Sequence, residues 1–315
     1  MVDLVSDVLA VSGVRGAIGA RIEAGGAWAT RVEDDAHVSL HAVTDGRATL
    51  TVAGDRPREL AEGDVVLLPV GVPHVLSSAP GLRAGPLDRR AFTHTEAVTL
   101  GTPPVHTRIV TMHYTCDRRS RTQVLESLPD LIHIGPGQST PGLAGTVRLI
   151  GHELAHPQLA ASAVLNSLVD VTLIQLVRAW LPTRPAGQRV GWLNALDDPI
   201  VLRAVHHIHA RPALPWTIAS LAAAAKVSRA TLCRRFAATI GLAPAAYLTQ
   251  WRLDLAARRL RTTRDPVAAI AAAVGYGTVP AFSRAFTRSH GQTPAHYRSR
   301  FRGSTAVGLD ATALR

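Results

Sequence analysis

Arginine, serine and threonine side chains cluster in two short segments of this chain, about 50 residues apart. Such side chains bind phosphate oxygens, and arginine can also pair bidentately with the edge of guanine. The chemistry they favour is therefore binding to a polyanion rather than catalysis. The candidate binding residues are Ser228, Arg229, Thr231 and Arg234 in the first segment, and Thr278, Ser283, Arg284 and Arg288 in the second.

Each segment lies in one copy of an internal repeat. The copies run over residues 216–236 and 266–286, and in each a short Ala-rich helix leads through a tight turn into a second helix. A duplicated helix-turn-helix predicts two recognition helices on one polypeptide, able to reach major grooves roughly 34 Å apart. Matching positions are Leu221 and Ile270, Ala222 and Ala271, Lys226 and Gly275, Leu232 and Phe282, and Phe236 and Phe286.

Start and turn signals fix the register of both copies. Thr217 and Ser228 are predicted N-caps, and Asp265 is predicted to cap a helix that has Pro266 at its first position. Gly275 suits a turn residue with positive φ, and Lys226 at the equivalent place predicts a slightly strained backbone. The outward faces then carry the arginines, while the aromatic and leucine positions face a core.

Charge is distributed unevenly along the chain. Residues 201–302 hold 15 Arg and one Lys but only two acidic residues, an excess of 14 positive charges. The whole chain carries +11, so the remainder is slightly acidic. This asymmetry predicts that one domain meets a polyanion and the other does not.

Composition bounds the compartment and the class of protein. The chain has two cysteines, Cys116 and Cys233, which are too few for a disulfide framework or a zinc knuckle. This low cysteine count favours the cytoplasm. Cys233 is expected to pack as a small hydrophobe. Charged residues near the start of the chain argue against a signal peptide. The sequence also lacks a run of about 18 apolar residues, the length that a membrane span needs. The sequence therefore predicts no membrane partner.

Four segments follow from the pattern of strands, helices and breakers. Residues 1–120 alternate short apolar stretches with Gly-rich turns, which predicts a small β-barrel. Residues 121–190 are predicted to form a helical connector, with an amphipathic helix over 160–181 that ends at Leu181-Pro182 and supports a homodimer. Residues 192–302 are predicted to be all-helical, and 303–315 a flexible tail. The fold class is thus α+β and multidomain.

One apparent catalytic motif is interpreted as a chance match. Residues 152–156 read His-Glu-Leu-Ala-His, as in zinc proteases, which need both histidines on one helical face and a third ligand. Pro157 disfavours helical geometry at His156, and only Asp170 could serve as the third ligand. We therefore predict no catalytic residues in this chain.

The C-terminal third resembles the DNA-binding domain of the AraC/XylS family of transcription regulators. The resemblance rests on residues 216–218 and 244–252 in the first half, and on residues 275–277, 282–288 and 291–298 in the second. It implies a sequence-specific regulator that binds double-stranded DNA, most often as an activator that can engage RNA polymerase. Pro280 departs from the family pattern, since a small polar residue usually stands early in that recognition helix.

Residues 63–74 resemble the second motif of the cupin barrel, which implies an N-terminal domain that senses a small-molecule effector. His41 and His74 are the candidate effector-binding residues. The first cupin metal motif is missing, and a metal needs three or four convergent ligands, so no metal or other cofactor is expected. Two alternatives stay open: a cupin metalloenzyme fused to a helical module, and an interaction protein whose basic half binds acidic proteins.

Overall fold

The computed structural model describes residues 4–33, 37–87, 97–115, 128–184 and 191–307. Their contacts divide into two compact units. A barrel unit contains residues 15–115 and 128–184 of the described chain, and a helical unit contains residues 4–14 and 191–307.

Two β-sheets make up the first part of the barrel unit. Their strands are β1 (Arg15–Gly25), β2 (Ala29–Val32), β3 (Val38–Asp45), β4 (Arg47–Val52), β5 (Arg58–Ala61), β6 (Val65–Leu68), β7 (His74–Ser77), β8 (Gly85–Pro86), β9 (Ala97–Gly101), β10 (Thr107–Thr115) and β11 (Ile132–Ile134). One sheet has the strand order β11-β6-β3-β10-β1-β9, and the other has the order β5-β4-β7-β2-β8. Most neighbouring strands are antiparallel, as in small barrels and sandwiches.

An apolar core fills the space between the sheets. Its fully buried members include Ile22, Leu50, Val66, Leu76 and Ile109. Because side chains alternate along a strand, this core uses one face of each strand. The predicted alternation of short strands with Gly-rich turns is confirmed, and glycines in several of these turns have positive φ.

Two helices complete the barrel unit: α2 (Pro141–Ala155) and α3 (Ala161–Trp180). Thr140 caps α2, accepting a hydrogen bond from the backbone N–H of Leu143. The predicted end of the long helix is confirmed, since α3 gives way to a 3₁₀ turn at Leu181–Thr183. By length and composition alone residues 161–183 could cross a bilayer, but eight α3 side chains are buried in this unit, as in a core helix.

The helical unit consists of a 3₁₀ turn (Gly191–Leu196) and eight α-helices among its described residues. Residues 303–307 continue the last helix, so this part of the predicted flexible tail is helical. The helices are α1 (Leu4–Ser12), α4 (Pro199–Ala210), α5 (Ile218–Ala224), α6 (Arg229–Ile240), α7 (Pro244–Thr262), α8 (Val267–Ala273), α9 (Val279–His290) and α10 (Pro294–Val307).

Helix α1 lies in the helical unit, although the sequence placed it in the N-terminal β domain. The His209 ring contacts the Asp7 carboxylate at 3.3 Å through Nδ1, and Arg261 donates to the carbonyl of Val11 at 2.9 Å. The predicted connector also differs, because residues 128–184 pack with the barrel rather than forming a separate segment. Both differences arise from contacts between residues far apart in the chain.

Candidate nucleic-acid interface

The first helix-turn-helix is formed by α5 and α6. Thr217 caps α5 in a capping box with Ser220, as predicted for the cap itself. At the turn, Lys226 has φ of 59°, which confirms the strained backbone expected there. Leu232 and Phe236 on α6 are fully buried, so the opposite face of α6 is left outside.

The second helix-turn-helix, formed by α8 and α9, repeats the same turn. Gly275 has φ of 89°, and its N–H donates to Ala272 O at 3.0 Å, as the Lys226 N–H does to Ala223 O. Phe282 and Phe286 on α9 are fully buried. The predicted cap at Asp265 is wrong by one residue: Pro266 is the N-cap, and the Asp265 carboxylate instead accepts from Arg259.

The structure places the four candidate arginines on the outer faces of α6 and α9. Arg229 and Arg234 are exposed on α6, and Arg284 and Arg288 are exposed on α9. Within the described residues, none of the four has a hydrogen bond or an ion pair. Their guanidinium groups are therefore free to bind an anion.

The candidate hydroxyl groups are mainly part of the helix starts. Ser228 and Thr278 are N-caps whose side chains accept from the backbone N–H groups of Thr231 and Ala281. The Thr231 hydroxyl lies 2.9 Å from that of Ser228, and Ser283 is half-buried. Pro280 occupies the first turn of α9, where a missing N–H costs no helical bond.

Six other arginines of this unit hold the fold together. They donate to backbone carbonyls or pair with the few carboxylates, so their charge is already committed. Sequence reasoning did not separate these two classes of arginine, because only their partners distinguish them. The anchoring arginines are Arg203 (to Ala225 O), Arg235 (to Asp198), Arg252 (to Pro212 O and Leu214 O), Arg259 (to Asp265), Arg261 (to Tyr297 Oη and Val11 O) and Arg298 (to Asp265 O).

Asp198 ties α4 to the first recognition helix, a role the sequence analysis missed. Its carboxylate caps α4, accepting from the N–H groups of Ile200 and Val201, and also accepts from Arg235 on α6 at 2.8 Å. Burial alone would raise the pKa of Asp198, but these hydrogen bonds outweigh burial and lower it. The Asp-Pro sequence before a helix was the available signal.

Cys233 lies beside the exposed face of α6 that carries Arg229. It is half-buried and lines a shallow hollow together with Thr217, Ile218 and Arg229. The partial burial agrees with the expected packing as a small hydrophobe. Cys116 lies outside the described residues.

The two histidines singled out in the barrel contact each other. His41 and His74 are buried, and their Nε2 atoms are 2.7 Å apart. With both rings neutral, His74 Nδ1 donates to Val72 O, His41 Nε2 donates to His74 Nε2, and the Thr111 hydroxyl donates to His41 Nδ1. Burial, reinforced by His74 and His113, holds the pKa of His41 well below its ordinary value.

The residues of the apparent protease motif do not form a metal site. Helix α2 ends at Ala155, and His156 has φ of −133° and ψ of 65°, outside helical geometry. His152 and His156 are exposed. Among the described residues, no group of three or more His, Cys, Asp or Glu side chains is arranged to hold a metal ion.

Comparison with known protein families matches both units. A cupin family profile covers residues 3–182, and a helix-turn-helix domain profile covers residues 221–300. The first match confirms a cupin domain but continues past the predicted boundary at residue 120, and the second lies within the predicted helix-turn-helix region, residues 192–302.

Relatives match over nearly the whole chain. An AraC-like transcription regulator of Streptomyces antibioticus is 37% identical over 302 residues, covering 94% of this chain and 98% of that protein. The transcriptional regulator AlkR of Acinetobacter baylyi is 31% identical over 281 residues, covering 87% and 91%. Among solved structures, the DNA-binding domain of AdpA in complex with a target DNA is 30% identical, covers 35% of this chain and 97% of that chain, and has a TM-score of 0.33.

Proposed function

The chain belongs to the AraC family of DNA-binding transcription regulators, and from this premise we propose that it binds operator DNA through both α6 and α9. We further propose that it works in the cytoplasm as a homodimer, responds to a small-molecule effector held by its cupin domain, and activates transcription by engaging RNA polymerase. The activating role follows the resemblance to the family.

The contrast between free and anchoring arginines carries the DNA-binding part of this proposal. Arg229, Arg234, Arg284 and Arg288 keep their guanidinium groups exposed, while neighbouring arginines are held by carbonyls and carboxylates. Each such contact to a phosphate releases counterions and steepens the dependence of affinity on salt. Four phosphate contacts give a slope of about −3.6 in a plot of log K against log salt.

Operator fragments obtained by genome-wide mapping of occupied sites provide the test. We expect the affinity of the full chain to fall roughly 100-fold between 50 and 200 mM salt. The combined variant Arg234→Ala/Arg284→Ala should bind more weakly and lower the slope by about 2. Arg264→Ala removes an exposed arginine that lies off both recognition helices, so it is the matched control. Salt-independent binding, or an equal loss in the control, contradicts the proposal.

Exposed apolar side chains on α2 and α3 support the homodimer. Four of the eight exposed large hydrophobic residues in the described chain lie between positions 149 and 171: Leu149, Leu159, Val164 and Val171. Exposed apolar side chains are typical of an interface between subunits. Val164→Asp/Val171→Asp should shift the molar mass measured by light scattering from dimer to monomer. Leu82→Asp, the same change elsewhere in the barrel unit, should leave the dimer intact.

We propose a sensory rather than an enzymatic role for the cupin domain, working without a bound metal. The mutual hydrogen bond of His41 and His74 supports this, since both Nε2 atoms are already engaged. Elemental analysis of the purified full chain tests it. Stoichiometric iron or zinc would contradict the proposal and revive the metalloenzyme alternative.

A further inference from the structure

Among the described residues, the interior of the barrel beside the two candidate histidines is closely packed. His41 is fully buried, and His74 is 3% exposed. The apolar side chains of Ile22, Leu50 and Leu76 in the barrel core are also fully buried. An effector that entered this core would have to displace buried apolar side chains.

A cavity of about 660 Å³ lies instead on the flank of the barrel unit. The end of β3, the turn between β5 and β6, and the start of β10 form one side, and α2 forms the other. Val43, Ala144 and Val147 supply apolar lining. The volume falls within the range of small-molecule sites, roughly 300–1,000 Å³.

Small residues keep this space open. Ala144 and Gly151 on α2 face it, and Gly63, with φ of 87°, forms the turn on the opposite side. A Cβ added to Gly151 would meet the Thr44 Cγ2 atom at 3.6 Å, an ordinary contact. Any side chain longer than a methyl group would therefore extend into the space between helix and strand.

Charges on two walls indicate what the cavity can hold. Arg108 already pairs with Asp45 and with Glu23. Arg148 on α2 and Glu62 in the β5–β6 turn are exposed, and neither pairs with another described residue. The cavity thus offers one unused cation and one unused anion, with apolar surface between them.

We propose that this flank cavity is the effector site, and that it binds a small amphipathic zwitterion. The ligand's acidic group pairs with Arg148, its ammonium group pairs with Glu62, and its apolar body covers Val43 and Val147. The assignment rests on the proposed function, in which the cupin domain senses an effector. Since α2 packs against α3, an occupant that shifts α2 would alter the apolar surface proposed for the dimer.

Disulfide capture tests the site without knowledge of the natural ligand. Ala144→Cys is made in a full chain whose two native cysteines are serine, and it is equilibrated with four small thiols in redox buffer. The probes are L-homocysteine (zwitterionic), 3-mercaptopropionate (anionic), cysteamine (cationic) and 2-mercaptoethanol (neutral). Ala155→Cys, on the same helix and exposed but outside both the cavity lining and the apolar surface proposed for the dimer, is the matched control.

We expect the zwitterionic thiol to be retained at Cys-substituted position 144 about fivefold more strongly than the neutral thiol, since each partly exposed ion pair contributes modestly. Arg148→Ala or Glu62→Gln should remove most of that preference, and the position 155 control should show none. Equal retention of all four thiols, or a preference that survives both substitutions, overturns the site.

A gel shift separates this inference from the proposed function. Capture of the zwitterionic thiol should change operator affinity at least threefold, while capture at position 155 should not. Selective capture with unchanged affinity overturns the assignment of the cavity as the effector site. If the uncaptured protein binds no operator, the DNA-binding proposal fails, yet the capture result still decides whether the cavity selects zwitterions.

Discussion

In the first helix-turn-helix copy, Lys226 takes a φ of 59°; in the second, Gly275 takes 89° at the same turn position. The turn hydrogen bonds are alike, but the surroundings differ. A Cβ on Gly275 would lie 2.9 Å from the Cα and the carbonyl oxygen of Ala213. The first copy therefore accommodates a side chain at this strained position. In the second copy, backbone atoms of Ala213 lie too close for a side chain to fit.

The largest expected effect is on the free energy of unfolding when alanine is placed at each of the two turn positions. Gly275→Ala should lower the free energy of unfolding by about 2–4 kcal/mol, because left-handed backbone strain adds to a clash with backbone atoms. Lys226→Ala keeps a side chain at positive φ, so it should change stability by less than about 0.5 kcal/mol. Urea denaturation of the full chain, with hydrogen exchange of α8 and α9, measures both. Equal effects at the two turns would contradict the comparison.

Local pattern was sufficient to predict the repeat. The spacing of Leu232 and Phe236, and of Phe282 and Phe286, determines which face of each helix is buried, so the exposed arginines followed from periodicity. The predicted caps at Thr217 and Ser228 are confirmed for the same reason. The predicted cap at Asp265 was wrong by one residue, because that carboxylate accepts from Arg259 instead.

Long-range partners were beyond sequence reasoning. Asp7 and His209 are separated by 202 residues, and nothing in α1 marks it as part of the helical unit. His41 and His74 were proposed as effector-binding residues, but the sequence did not show that a hydrogen bond joins them. Composition showed 15 arginines between residues 201 and 302 but could not sort anchors from free groups. Such distinctions depend on which groups meet in three dimensions.

The next effect concerns how each copy reads DNA. Arg229→Ala should weaken operator binding by about 1–3 kcal/mol and unrelated DNA by less, if this arginine contacts a base. Arg284→Ala should weaken both DNAs by similar factors, because Pro280 in the first turn of α9 favours backbone contact over base reading. Fluorescence anisotropy with both duplexes, and Arg264→Ala as control, distinguishes them. A uniform loss for Arg229→Ala would assign that residue to phosphates.

A smaller difference in stability is expected between substitutions of Asp198 and Asp265, the two aspartates that bind arginines of the helical unit. Asp198→Ala removes both the cap of α4 and the bond to Arg235, so it should cost about 1–2 kcal/mol at pH 7. Asp265→Ala removes an exposed bond to Arg259 and no cap, so its effect should be smaller. The pKa of Asp198 is lowered in the folded state, so its contribution is present above about pH 4 and disappears as the pH falls further. A cost of Asp198→Ala that stays constant down to pH 2 would exclude this carboxylate as the source.

The smallest effect distinguishes how the first helix of each copy begins. Thr217 accepts from the N–H of Ser220 at 3.0 Å, whereas Pro266 offers α8 no side-chain cap. Thr217→Ala should therefore cost about 0.5–1 kcal/mol and speed hydrogen exchange in α5 more than in α8. Thr217→Ser keeps the hydroxyl acceptor and should restore most of the loss. If the serine variant is no more stable than the alanine variant, the hydroxyl is not the stabilising group, and packing of the Thr217 methyl group takes its place.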